Sequence, residues 1–370
     1  MITRQPYRFA MELRKRNGAA LGQVPVAANC DWEPALEAAR FSALRRFPLA
    51  VIGAHAVAEL RPVWHETLGQ PYISAVEVVL QIPGAREISC RVPTSYFKPF
   101  ASDASVPLVE KGSLQAGEQF DYLVTAFPSP PTLGGAAQPR ARFEVEEVVT
   151  PLPLKSASLE EFQARSFACG DQNGEDIPVF IPQNVLAEAE QMTRDAAKME
   201  TASVLIGHLH RDPAGGKLFL EVAAQIPARN PVATATKVTF GPETWNAVNG
   251  AIALRGENEQ WVGWFHSHPA AFWCSPQCQP EARAQCPLQR SFFSANDCDV
   301  QRTVFSKAFH VALLVTNTDA GMQQALFSWR NGVIVQRGFH IIGYEETLTP
   351  VVAPVAAATI GDAENEKPCP

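Results

Sequence analysis

Between residues 178 and 336 short apolar runs alternate with stretches of helical periodicity, and this alternation restricts the chain to a sheet packed against helices. The runs 178–182, 201–209, 217–226, 237–240, 261–265, 310–316, 325–330 and 332–336 read as strands. The stretches 183–199, 242–254 and 295–305 read as helices. The expected fold is therefore α/β, a mixed sheet flanked by helices.

Upstream the pattern changes. Residues 49–53, 72–82, 88–92, 120–127 and 143–149 are rich in Val, Ile, Phe and Tyr and are bounded by Pro, Gly and Ser, which is strand chemistry; 32–46 is helical. Pro and Gly break the chain at 128–140, and the polar, Gly-containing stretch 168–176 is the cleaner boundary. At 370 residues two domains are expected. They are a smaller β-rich (α+β) N-terminal domain of unknown role over 1–168 and the α/β domain over 169–348. A tail rich in Ala, Pro and acids, 349–370, reads as disordered.

Composition excludes several classes. A formal net charge of −7 argues against nucleic acid as a partner, and the local excess of basic residues within 1–50 reads as a solvated surface. No run of 18 apolar residues occurs, and the first 13 residues lack the apolar core of a signal peptide, so the chain is expected to be cytoplasmic with no membrane partner.

The run Trp261-Val262-Gly263-Trp264-Phe265 ends in His266-Ser267-His268-Pro269. Residues two apart on a strand point the same way, so both imidazoles can face one ion. A catalytic zinc takes three protein ligands and keeps one position open; Ser294-Ala295-Asn296-Asp297, at a helix start that Ser294 can cap, supplies Asp297 as the third. Glu200 is the one charge ahead of the apolar run 201–207, a carboxylate suited to proton transfer. His-x-His alone is more often incidental, and Glu200 alone would more often be a solvated acid. Taken together, the four elements favour a site. His208 and His210, also alternating on a strand, read as substrate-facing or core residues. Cys30 and Cys90 read as structural thiols, Trp261 and Trp264 as core, and His65 as surface.

In order and context, Glu200 with Gly207, His266-Ser267-His268-Pro269 and Ser294-Ala295-Asn296-Asp297 resemble the JAMM (MPN-type) zinc metallopeptidase family, over roughly 178–345. The resemblance implies that His266, His268 and Asp297 hold Zn²⁺, that Glu200 serves as general base and then acid, and that Ser294 donates to the developing oxyanion. It also implies cleavage after the C-terminal glycine of a ubiquitin-like protein or its conjugates, beside activating and conjugating enzymes, as in prokaryotic deubiquitinase-like members. Two other readings stay open: a non-catalytic MPN-like scaffold, and a peptidase acting on a sulfur-carrier protein. Nucleobase deaminases and zincins are excluded, because neither His-x-Glu with Pro-Cys-x-x-Cys nor His-Glu-x-x-His occurs.

One departure stands out. His268 and Asp297 lie 29 positions apart, whereas the family's motif keeps them close, so about 270–291 reads as an insertion. It holds Cys274, Cys278 and Cys286, with Cys298 next to the ligand. A second structural metal ion, a disulfide and free thiols all remain open for these four.

Overall fold

The computed structural model describes residues 2–26, 30–46, 57–65, 72–81, 87–129, 152–229, 239–274 and 277–343. The strands expected at 49–53 and 143–149, the start of the one at 237–240, and the tail 349–370 fall outside the described residues. Two compact units emerge, Met1–Leu152 with Asn331–Val333, and Pro153–Arg330 with Ile334–Pro370.

The first unit contains β1 (Ile2–Arg4), β2 (Tyr7–Lys15), β3 (Ala20–Pro25), α1 (Glu33–Arg46), β4 (Val57–Trp64), β5 (Ile73–Gln81), β6 (Ile88–Pro93), α2 (Lys98–Glu110) and β7 (Phe120–Pro128). They build a sheet of order β1-β4-β5-β6 and a second of order β3-β2-β7. In β2 the alternate residues Phe9, Met11 and Leu13 are buried. Ala35, Ala39 and Ala43, one turn apart on α1, are fully buried, and such small side chains let a helix lie close to its neighbours. The expected β-rich character and the helix at 32–46 are found. The β2–β3 hairpin and α2 were not anticipated. Helix α2 carries Pro107 internally and buries only Ala101, so it has little helical pattern to read.

The second unit contains β8 (Leu154–Ser156), α3 (Leu159–Ala164), β9 (Ser166–Cys169), β10 (Val179–Pro182), α4 (Gln183–Ala196), β11 (Ala202–Arg211) and β12 (Leu218–Pro227). It continues through α5 (Pro242–Arg255), β13 (Gln260–His268), α6 (Pro280–Ala284), α7 (Ala295–Thr303), β14 (Val311–Thr318), β15 (Gly321–Arg330), β16 (Val333–Arg337) and β17 (Phe339–Ile342). The sheet runs β16-β15-β14-β13-β11-β12-β10-β17-β9, with β8 added to β11. Pairing is parallel between β13 and β14 and antiparallel between β11 and both β12 and β13, so the sheet is mixed, flanked by helices, as expected.

The division falls at 152/153 rather than 168/169. The reason is pairing: Leu154 stands beside Leu209 in parallel register, Cys169 pairs with Phe339, and Leu159 and Phe162 pack with Phe180 and Phe219. Strands this short carry too little pattern to be read from sequence. Gly207 lies within β11 at a shift of register, where a Cβ would stand 1.9 Å from the Glu221 carbonyl oxygen. No helix among the described residues is long and apolar enough to cross a membrane.

Candidate metal centre

His266 and His268 occupy the last turn of the pleat in β13, fully buried, with Ser267 between them facing the opposite side. On β11 the register places Ala202 against His266, so the chain just ahead of that strand, Glu200, arrives beside the imidazoles. Asp297 comes from the first turn of α7. Its Oδ2 accepts the Ser294 backbone N–H at 2.8 Å while the Ser294 hydroxyl oxygen accepts the Asp297 N–H at 3.2 Å. This reciprocal cap orients the carboxylate and leaves the half-buried Ser294 hydroxyl its own proton to donate.

The three ligand-type side chains converge. His266 Nε2 stands 3.3 Å from Asp297 Oδ1, and His268 Nε2 stands 3.3 Å from Asp297 Oδ2. One ligand atom from each lies within 4.8 Å of the others, an arrangement able to hold a metal ion. Glu200 Oε1 is 4.0 Å from His268 Nε2. Both ring nitrogens of His266, Nδ1 of His268 and Oε2 of Glu200 are buried without a hydrogen-bond partner among the described residues. Each such atom costs about 1–3 kcal/mol when left unsatisfied, so their concentration here needs a reason. Two imidazoles and a carboxylate around one point fit a metal ion.

Electrostatics agree. Burial would raise the Asp297 carboxyl, but His266 and His268 outweigh it and hold the group well below the usual carboxylate range. Burial lowers the His268 imidazole against the opposing hydrogen bond it donates to Asp297. An ionised carboxylate beside a neutral imidazole is the ligating state. Burial, aided by the charge of Asp297, pushes Glu200 up to about 8.

An aromatic shell fixes the rings. His266 stacks on Trp264 at 4.3 Å with 14° between planes, and His268 packs against Trp273 and Phe292 at 5.1 and 5.0 Å, two rings that also touch each other at 5.9 Å. Trp264 donates from Nε1 to Gln301 Oε1 at 2.8 Å, and Gln301 passes its amide protons to the carbonyls of Phe305 and His310. Trp264 is core, as expected, but its place two residues before His266 also makes it the wall of the site, a signal that period-two spacing already contained. Trp273, Phe292, Gln301 and Ser267 had no such signal.

The cysteines do not form one set. Cys274, Cys278 and Cys286 are buried free thiols; Cys274 lies beside the Cys286 thiol and 3.6 Å from Gln289 Nε2, and burial raises it. Cys298, on α7, packs instead with the cluster of Trp264, Phe293 and Phe305. Among the described residues His266, His268 and Asp297 form the metal-ready group, and the four cysteines are not brought together as one. Arg283 bonds to the Ala271 carbonyl and pairs with Asp319, and Gln289 joins the Ala270 carbonyl to the Asp319 N–H, pinning the insertion to the β14–β15 turn.

His208 and His210 sit at the far end of β11, not beside the metal-ready group. His208 Nε2 is 3.1 Å from Lys155 Nζ, and His210 Nε2 is 2.8 Å from Glu221 Oε2. Cys30 and Cys90 are buried and His65 is exposed.

No family model matches the chain, and no curated protein does. Among solved structures the chain is similar to the solution structure of protein DSY2949 from Desulfitobacterium hafniense, at 17% identity and a TM-score of 0.30, covering 45% of this chain and 95% of that one, a likeness too slight to inform the site.

Proposed function

We propose that this chain is a zinc-dependent isopeptidase or peptidase of the JAMM type, cleaving after the C-terminal glycine of a ubiquitin-like protein in a cytoplasmic conjugation pathway with its activating and conjugating enzymes. One observation carries the reading: buried His266, His268 and Asp297 converge on one point while a fourth buried group, Glu200, stands 4.0 Å from His268 without taking part in the trio. A binding scaffold has no need of such a carboxylate. Two imidazoles and one carboxylate are the donor set zinc favours in hydrolytic sites.

In this reading His266, His268 and Asp297 hold the ion, and the aromatic walls keep bulk water away. Zinc, when bound, supplies a Lewis acid that polarises the scissile carbonyl and lowers the pKa of water. Glu200 takes a proton from the attacking water at a carboxylate oxygen and hands it to the departing nitrogen. The Ser294 hydroxyl donates to the carbonyl oxygen as negative charge grows there. The test is turnover of a ubiquitin-like protein carrying a fluorogenic amide on its terminal glycine. Wild type is expected to release the fluorophore and Glu200→Gln to lose that activity; equal rates for the two would overturn the mechanism.

A further inference from the structure

We infer that Ser267, between the two metal-facing histidines, is a positioning residue that sets where Glu200 stands. The β11–β13 ladder pairs Ala202 with His266, so Thr201 and Ser267 are the next residues in register. One bond between them is ordinary ladder chemistry, Ser267 N–H to the Thr201 carbonyl at 3.0 Å. The reciprocal bond is not. The Thr201 N–H donates to the Ser267 side-chain oxygen, also at 3.0 Å. The hydroxyl thus replaces a backbone carbonyl at the last rung, and the chain ahead of Thr201 is released from running alongside β13.

That release matters one residue earlier. Glu200 has no hydrogen bond of its own to fix it: Oε2 has no partner among the described residues, and Oε1 meets only His268, at 4.0 Å. Its position is inherited from the backbone, held on one side by the Met199 N–H on the Ala196 carbonyl and on the other by the Thr201 N–H on Ser267, the anchor that comes from β13. Ser267 points away from the imidazoles and is 1% exposed, so it touches neither ion nor substrate. A shift of about 1 Å in a reacting group can cost on the order of a hundredfold in rate.

The inference rests on the reading of Glu200 as the proton carrier, and its test separates the two. Ser267→Ala, Ser267→Cys, Ser267→Thr and Glu200→Gln are purified in full length and loaded with Co²⁺ alone, and the visible absorption spectrum is recorded. All are expected to hold one equivalent of metal. Ser267→Ala should change the spectrum in the same sense as Glu200→Gln, Ser267→Cys, which keeps the volume with a weaker acceptor, should do so less, and Ser267→Thr should restore the wild-type spectrum. With the amide reporter, Ser267→Ala should lower kcat by roughly 10- to 100-fold with KM within about twofold. A wild-type spectrum in Ser267→Ala and Ser267→Cys, or loss of metal from them, would overturn the inference. Should wild type cleave nothing while the spectra follow this pattern, the proposed reaction falls and the positioning role stands.

Discussion

The sheet of the second unit carries His-x-His twice, and the two copies have opposite chemistry. His208 and His210 sit in β11, His266 and His268 in β13, each pair on one face of a strand. At the first pair each imidazole already has a protein partner, Lys155 for His208 and Glu221 for His210, with His210 further stacked on Phe219 at 4.8 Å. At the second, the rings turn toward a shared carboxylate and leave buried nitrogens unsatisfied. The spacing is identical, and His210 Nδ1 too is buried without a partner among the described residues; what differs is that Lys155 and Glu221 bind the first two rings separately, whereas Asp297 converges with the second two on a common point. A pair bound to separate partners reads as structure, and a pair converging on one shared carboxylate is a candidate site.

The largest effect should separate the pairs by metal content. Asp297→Ala or His266→Ala is expected to abolish stoichiometric zinc, measured by mass spectrometry of protein metal, whereas His208→Ala and His210→Ala should leave it intact. Zinc retained after loss of Asp297, or lost with His208, would break the contrast. Next in size is rate. Glu200→Gln should keep the metal and lose about 10²- to 10⁴-fold in kcat, the usual worth of a positioned proton carrier. No comparable loss is expected from Glu221→Gln, although it too is a carboxylate beside a histidine.

Much of the metal-ready end was legible before the fold was known. The strand ending in His266-Ser267-His268, the capped helix start bearing Asp297 and the lone carboxylate at Glu200 could all be read, because period two and helix capping are local rules. Which His-x-His is the site could not be read from spacing. Lys155 lies in a three-residue strand, and Glu221 reaches His210 only through the β11–β12 register. Local rules also failed at the unit boundary, since β8 and β9 acquire meaning only by pairing with β11 and β17. The β2–β3 hairpin is a different case. Asn17-Gly18, with Gly18 at φ 85°, joins two strands whose first alternates cleanly, and that signal was present to be found.

Acid should probe the structural histidines. Burial holds His208 below its ordinary value, aided by the charge of Lys155, and burial pushes His310 down to about 4. Both are therefore neutral in the folded chain where the unfolded chain binds protons, so stability is full above pH ~6.5 and falls as pH drops toward 4. For His310 the shift corresponds to roughly 3 kcal/mol. Urea unfolding of zinc-free protein at pH 7.5 and pH 5 should show the loss, and His208→Gln should make the slope shallower. An unchanged slope would mean that the Lys155 end is not the strained partner taken here.

The smallest effect concerns the backbone. A non-Gly residue at positive φ stands near each end of the β11–β13 pair. At the end of His208 and His210 it is Asn258, φ 56°, a residue type that tolerates such angles; at the metal-ready end it is Ala197, φ 54° and ψ −98°, in the turn from α4 to Glu200. A non-Gly residue so placed stores about 1–3 kcal/mol, and glycine would relieve it while costing about 0.5–1 kcal/mol through the unfolded chain. Ala197→Gly is therefore expected to raise the unfolding free energy by about 1 kcal/mol, read from the urea midpoint at constant slope. The same change frees the backbone two residues before Met199 and three before Glu200, so kcat should fall by a few-fold with metal content unchanged. Asn258→Gly should alter stability by less and leave kcat alone. If Ala197→Gly gained stability at no cost in rate, the turn would be a tolerated defect, and Glu200 would owe its place to Thr201 and Ser267 alone.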